Sequence, residues 1–102
     1  MLNSCVLIGR VKQKPVITAG ERGYQSASML VETEMPFAGN DKSGSETFNV
    51  RLWRGIADEC EAACNEGSVV AIRGRLVSVS EVHEDKTHYN CEVVAEKVSV
   101  LS

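Results

Sequence analysis

The chain is expected to fold as a small all-β barrel of five strands with one short helix between the third and fourth. Three observations predict this. Segments of alternating apolar and polar residues, the pattern of half-buried strands, recur along the chain. One stretch beginning at Ile56 changes to a helical period. The last two strand segments are long, and each shifts the parity of its apolar positions midway. A strand with one buried face can do that only by bulging or coiling, as closed barrels require.

The first strand reads from Ser4 to Lys14, alternating and rich in Val, Leu and Ile. Pro15 has no backbone N–H to give a central ladder, so a bend is expected there, with Val16 to Thr18 as a short continuation. The segment Ala19 to Gly23 is a turn, its glycines supplying unusual φ values. A second strand runs from Tyr24 to Glu34, and Pro36 opens a polar loop that reaches Ser45. The third strand, Glu46 to Trp53, sends Phe48, Val50 and Leu52 one way and Thr47, Asn49, Arg51 and Trp53 the other.

Ile56, Cys60 and Cys64, flanked by Ala57 and Ala63, then form an apolar stripe at helical spacing. Gly67 is expected to stop that helix in a left-handed conformation. The fourth strand spans Ser68 to Val82. Val70, Ile72 and Leu76 hold one parity, Val77 and Val79 the other, and Gly74 is the residue that permits the change. His83 to Thr87 reads as a polar hairpin turn. The last strand, His88 to Leu101, shifts from Tyr89, Cys91 and Val93 to Val98 and Val100. Three strands, a helix and two long coiled strands is the order of an OB barrel, expected as a single domain over residues 1–102.

Composition narrows the chemistry. An apolar share of 43% fills one core and a charged share of 25% fits an ordered globule. A chain this short leaves much surface unburied, which favours oligomerisation. Its apolar runs are too short to span a bilayer, and Met1 leads into strand-like sequence rather than a signal region. Of the four cysteines, Cys60 and Cys64 share a helix face, but His83 and His88 stand at no zinc spacing from them. Free thiols packed as small hydrophobes, in a reducing compartment such as the cytoplasm, are the expectation. The histidines flank the hairpin turn and are expected to be exposed. With no Ser-His-Asp arrangement, no phosphate-binding glycine loop and no metal-ligand set, neither enzymatic activity nor a cofactor or metal is expected.

Four segments, in order, carry a resemblance. Asn3-Ser4-Cys5-Val6-Leu7-Ile8-Gly9-Arg10-Val11 looks like an opening strand and Phe48-Asn49-Val50-Arg51-Leu52-Trp53-Arg54-Gly55-Ile56-Ala57-Asp58 like a third strand entering a helix. Glu66-Gly67-Ser68-Val69-Val70-Ala71-Ile72-Arg73-Gly74-Arg75-Leu76 and Tyr89-Asn90-Cys91-Glu92-Val93-Val94-Ala95 look like the last two strands. Together they resemble the bacterial and organellar single-stranded DNA-binding protein family across nearly the whole chain. That resemblance implies an OB barrel that assembles as a homo-oligomer, usually a homotetramer. It also implies capture of single-stranded DNA, with RNA left open, beside replication, repair and recombination proteins in the nucleoid (or in an organelle, if a transit peptide has been removed).

By the same resemblance Phe37 and Trp53 fall at stacking positions. Every base has a π face, so stacking is indifferent to sequence. Arg51, two residues before Trp53, is expected to place a guanidinium beside the ring. Arg10, Lys12, Arg73 and Arg75 join it as phosphate contacts. The departures are Thr47 at a family aromatic position (or Phe48, if the register slips by one), Glu81 at another, and Glu66 at a commonly basic one. The family's acidic tail, which recruits partners, has no counterpart before Ser102. The net charge of −3 lacks the basic excess of most nucleic-acid binders, so weak, salt-sensitive binding through a local basic stripe and stacking is expected.

Each of these residues also has a plainer reading. Trp53 packs against the helix or a neighbour, although its polar face-mates Thr47, Asn49 and Arg51 point to a solvent or ligand face. Phe37 packs at a loop hinge. Arg10, Lys12 and Lys14 guard an edge strand. Tyr24 and Tyr89 are expected to pack in the barrel or cap its ends. Glu66, Glu81 and the missing tail motivate a rival function: a diverged OB module for protein interaction or assembly, with little nucleic-acid binding.

Overall fold

A computed structural model describes residues 1–19, 25–34 and 44–102. Its elements are β1 (Cys5–Ala19), β2 (Gln25–Glu34), β3 (Ser45–Leu52), α1 (Arg54–Ala63), β4 (Val69–His83) and β5 (Lys86–Val100). The strands close a barrel in the order β1-β2-β3-β5-β4. All pairings are antiparallel except a short parallel seam, Val50 with Val93 and Arg51 with Val94, that joins β3 to β5. This is the OB arrangement the element order predicts.

The core is aliphatic. Val11, Met29, Val31, Val50, Val70 and Ile72 are almost wholly buried, and alternation places them: in β3, Val50 and Leu52 face inward while Thr47, Asn49 and Arg51 face solvent. α1 touches β1, β2 and β5, strands on different sides of the barrel, and so closes one end. Its buried face is Ala57, Cys60 and Cys64, with Ile56 half-buried beside them, as the helical period predicts; Ala63 instead faces solvent.

Several boundaries differ from expectation for physical reasons. β1 runs unbroken to Ala19, and Pro15 lies where the pairing slips between Gln13–Leu30 and Val16–Ser28. The extra residue there owes no ladder hydrogen bond, so a bulge takes the place of the expected bend. Gly67 has a φ of +88° but does not end the helix, which stops at Cys64, whose N–H bonds the Cys60 carbonyl at 2.8 Å. Gly67 serves the next turn, closed by Ser68 N–H on the Asn65 carbonyl at 3.0 Å, and its own N–H fastens that turn to the Val11 carbonyl at 2.8 Å. The hairpin turn shrinks to Glu84 and Asp85, both left-handed (φ 52° and 63°), because His83 and Lys86 already pair.

Gly74 is the pivot of the long strands. The pairing slips between Arg73–Lys97 and Gly74–Ala95, leaving Glu96 as the extra residue on β5. A Cβ on Gly74 would be driven into the Val94 backbone carbonyl, so glycine is required for the close approach. Beyond this point β4 and β5 outrun the barrel. Among the described residues β1 pairs with β4 only through Gly74 and β3 meets β5 only at Val93 and Val94, so within them the outer half of the hairpin pairs with itself alone. Tyr89, at 74% exposure, and Cys91 therefore face solvent rather than packing as expected. The projecting ribbon is consistent with a radius of gyration of 15.0 Å, against about 13 Å for a compact chain of this size.

Candidate functional site

Trp53 stands at the junction of β3 and α1. Leu52 turns into the core, and Trp53 keeps an extended backbone (φ −85°, ψ 162°) as the helix N-cap. Its carbonyl accepts the Ala57 N–H at 2.7 Å, while the indole makes no capping bond and the residue remains 60% exposed. A fixed backbone carrying a large open ring is suited to stacking. The monomer does not bury Trp53.

Arg51 precedes it on the outer side of β3. Its guanidinium is turned onto Glu92 of β5, with Nη2 2.6 Å from Oε2, and among the described residues no cation–π contact joins it to Trp53. The contact the guanidinium makes is an ion pair across the parallel seam. Glu92 Oε2 is shielded from solvent, and among the described residues it has this charge contact but no aligned hydrogen bond. In the same row Val94 pairs with Arg51 on one side and Arg75 on the other. Val94 is buried yet lies outside the core cluster, and Arg75 is exposed. The barrel order therefore brings together Arg51 and Arg75, with Trp53 two residues beyond Arg51.

The other basic residues lie elsewhere. Arg10 sits between β2 and β4, paired with Glu32 and Val69, and donates through Nη1 to the Gly67 carbonyl at 3.2 Å. Lys12 reaches Glu32 at 3.5 Å. Arg10 is no edge residue, whereas Lys12 and Lys14 lie where, among the described residues, β1 pairs with β2 alone. Arg73 pairs with Val6 and Lys97 and lines a shallow hollow with them, on the wall formed by β1, β4 and β5. Phe37 and Tyr24 lie outside the described residues.

The departures from the family pattern also have places. Thr47 is exposed on the outer face, whereas Phe48 is half-buried on the inner one. Glu81 is exposed on the ribbon, 3.4 Å from His83 Nε2, and the His83 and His88 rings lie 6.0 Å apart. Sequence reasoning missed Glu92 and Lys97. Nothing in the local pattern marks them, because their partners are set by strand pairing. Among the described residues no His, Cys, Asp or Glu group could hold a metal ion, and no helix is long and apolar enough to cross a membrane.

Comparison with known proteins bears on this geometry. The model of the single-strand binding protein family matches residues 2–101. A single-stranded DNA-binding protein of Oceanobacillus iheyensis is 31% identical over 99% of this chain, and single-stranded DNA-binding protein B of Bacillus subtilis is 28% identical over 99%. The chain spans 64% of the length of the first and 91% of the second. Among solved structures, the Plasmodium falciparum SSB in complex with ssDNA superposes with a TM-score of 0.82 at 21% identity, covering 100% of this chain and 96% of that one. A small single-stranded DNA-binding protein from Streptomyces coelicolor gives 0.73 at 19%, covering 98% and 95%. At these identities the structural likeness establishes the fold.

Proposed function

Because the chain belongs to the single-strand binding protein family, we propose that it binds single-stranded DNA without sequence preference, by base stacking and phosphate neutralisation, in replication, repair and recombination. The observation that carries this reading is Trp53, held by its backbone at the end of β3 and 60% exposed, two residues beyond the Arg51–Val94–Arg75 row. A base stacks on the indole, contributing about 1–3 kcal/mol whatever its identity. Arg73 and Arg75 on β4 and Arg10 and Lys12 on β1 serve as phosphate contacts, with Phe37 as a second stacking position and Arg51 available once freed from Glu92. No step needs a cofactor or a bond-making residue.

Self-association belongs to the same proposal. Val6 and Ile8 are 66% and 61% exposed on the outer face of β1, next to Ala71 of β4, and a second copy covering them completes a homo-oligomer. The site of action follows the ligand, wherever the cell exposes single strands.

The test is a titration of oligothymidine at low salt, read by Trp53 fluorescence. Quenching that weakens as salt rises is expected. A flat titration at micromolar protein would defeat the proposal. A second reading, a protein-interaction module that has lost nucleic acid, is favoured by the carboxylates set against the basic residues: Glu92 on Arg51, Glu32 on Lys12, and Glu81 exposed on the ribbon. Partners retained in a pull-down after nuclease treatment, together with that flat titration, would establish it instead.

A further inference from the structure

Arg51, two residues before Trp53, is the basic side chain held closest by a carboxylate among the described residues. Arg51 Nη2 lies 2.6 Å from Glu92 Oε2, whereas Lys12 lies 3.5 Å from Glu32. The two side chains differ in exposure, Arg51 at 44% and Glu92 at 23%. The pair thus presents its cation outward and keeps its anion inward. Glu92 Oε2 is cut off from solvent and, among the described residues, has no hydrogen-bond donor aligned on it. Withdrawing Arg51 would cost Glu92 its counter-charge, which only water entering behind the departing guanidinium could replace.

This has a consequence for a phosphate approaching the wall. A guanidinium neutralised at contact distance presents almost no net charge to a third group. To use Arg51 fully, the phosphate must draw it off a carboxylate that already holds it at contact distance. We infer that Glu92 is a built-in competitor for Arg51, a positioning residue that withholds the guanidinium from the phosphate backbone and so sets the affinity and salt dependence of strand binding, while Trp53 stays free to stack. The inference rests on the strand-binding reading. It separates the two residues that the sequence places side by side: Trp53 acts in the resting protein, and Arg51 does not.

The salt dependence of binding reads this directly. For single strands, each phosphate neutralised contributes about 0.7 to the slope of log affinity against log salt. Oligothymidine is titrated into three proteins, each first checked for fold by circular dichroism: wild type, Glu92→Gln, and the neutral pair Arg51→Gln/Glu92→Gln. Glu92→Gln releases a cation into the groove. It is expected to bind several-fold more tightly at moderate salt, with a slope steeper by about 0.7. In the double variant the cation that Glu92→Gln frees is gone, so the gain in affinity and the extra slope of about 0.7 are both expected to disappear.

A merely structural role for the pair would not move the slope in this pattern. The inference is overturned if Glu92→Gln binds no more tightly than wild type, or if the double variant loses about 0.7 of slope, since Arg51 would then already be touching phosphate. Should the single variant not fold, the double variant decides by that criterion. Wild-type binding with variants that fail these expectations leaves strand binding standing and removes the competitor; silence from both wild type and Glu92→Gln removes both.

Discussion

Asn3 and Leu76 are locked together by a pair of hydrogen bonds: the Asn3 side-chain amide donates to the Leu76 carbonyl at 2.8 Å, and the Leu76 N–H donates back to Asn3 Oδ1 at 2.9 Å. The last β1–β4 backbone pair is Cys5 with Gly74, so Asn3 continues the ladder with its side chain one step past the end of the strand. It serves Leu76 where β4 begins to leave the barrel.

Asn3→Ala removes both bonds and leaves the Leu76 N–H and carbonyl to water. Each such bond contributes about 0.5–1.5 kcal/mol, and because the groups are exposed the lower end applies. A loss of about 1–2 kcal/mol is expected, read as a fall in the urea midpoint at constant slope. An unchanged midpoint would mean that solvent replaces the clasp without loss.

Two glycines should respond oppositely to the same change. At Gly74 an added methyl meets the Val94 carbonyl, a backbone atom that cannot step aside without opening the β4–β5 pairing. Gly74→Ala should cost about 3 kcal/mol or more. At Gly55, in the first turn of α1, nothing lies within 4 Å of the added carbon. Gly55→Ala should therefore stabilise by about 0.5 kcal/mol, through helix propensity and a less flexible unfolded chain. Chemical denaturation of both variants checks the contrast, and equal effects would refute it.

How far the sequence could be read follows from the range of the interactions involved. Period-two alternation over Phe48–Leu52 and helical spacing over Ile56–Cys64 are local, and both survive in the structure. Gly74 was legible because a parity change demands a bulge, though the extra residue, Glu96, sits on the opposite strand. Tyr89 and Cys91 misled because alternation tells which side a residue faces, not whether the strand has passed beyond the barrel. The left-handed backbone of Gly67 is legible in the sequence, but the turn it serves is not, since its tie to Val11 is long-range. Arg51 was legible as an outward cation. Its capture by Glu92 depends on the lone parallel seam, which no local pattern announces.

The thiols give a prediction that turns on pH. Cys60 and Cys64 are buried under α1, Cys5 is half-buried and Cys91 is exposed, and all four are free. Burial first, then the neighbouring Cys64, pushes the Cys60 thiol up to about 12 from its ordinary 9.0. The unfolded chain therefore releases the Cys60 proton at lower pH than the folded one. Stability from this group is complete below about pH 9 and declines as pH climbs toward 12. The urea midpoint should fall above about pH 9, and Cys60→Ser should flatten that fall. In the native state at neutral pH a thiol reagent should modify Cys91 first and reach Cys60 and Cys64 only on unfolding. Rapid native labelling of Cys60 would contradict the burial.

Trp53 offers the sharpest separation of function from stability. The residue is 60% exposed, and its structural tie is the backbone bond from its carbonyl to the Ala57 N–H, which any residue can supply. Trp53→Ala should therefore shift the unfolding midpoint by less than about 1 kcal/mol, in the range of surface substitutions. The same change removes a stacking platform worth about 1–3 kcal/mol, a loss of about fivefold to more than a hundredfold in affinity for oligothymidine. Fluorescence anisotropy of a labelled strand measures the loss, because the variant has no tryptophan of its own to report it. Trp53→Phe retains a π face and should recover part of the affinity, whereas Trp53→Leu, apolar but not aromatic, should not. If Leu restores binding as well as Phe, the residue contributes bulk rather than a surface for bases. If Ala lowers stability as much as affinity, the ring packs where the strand was placed.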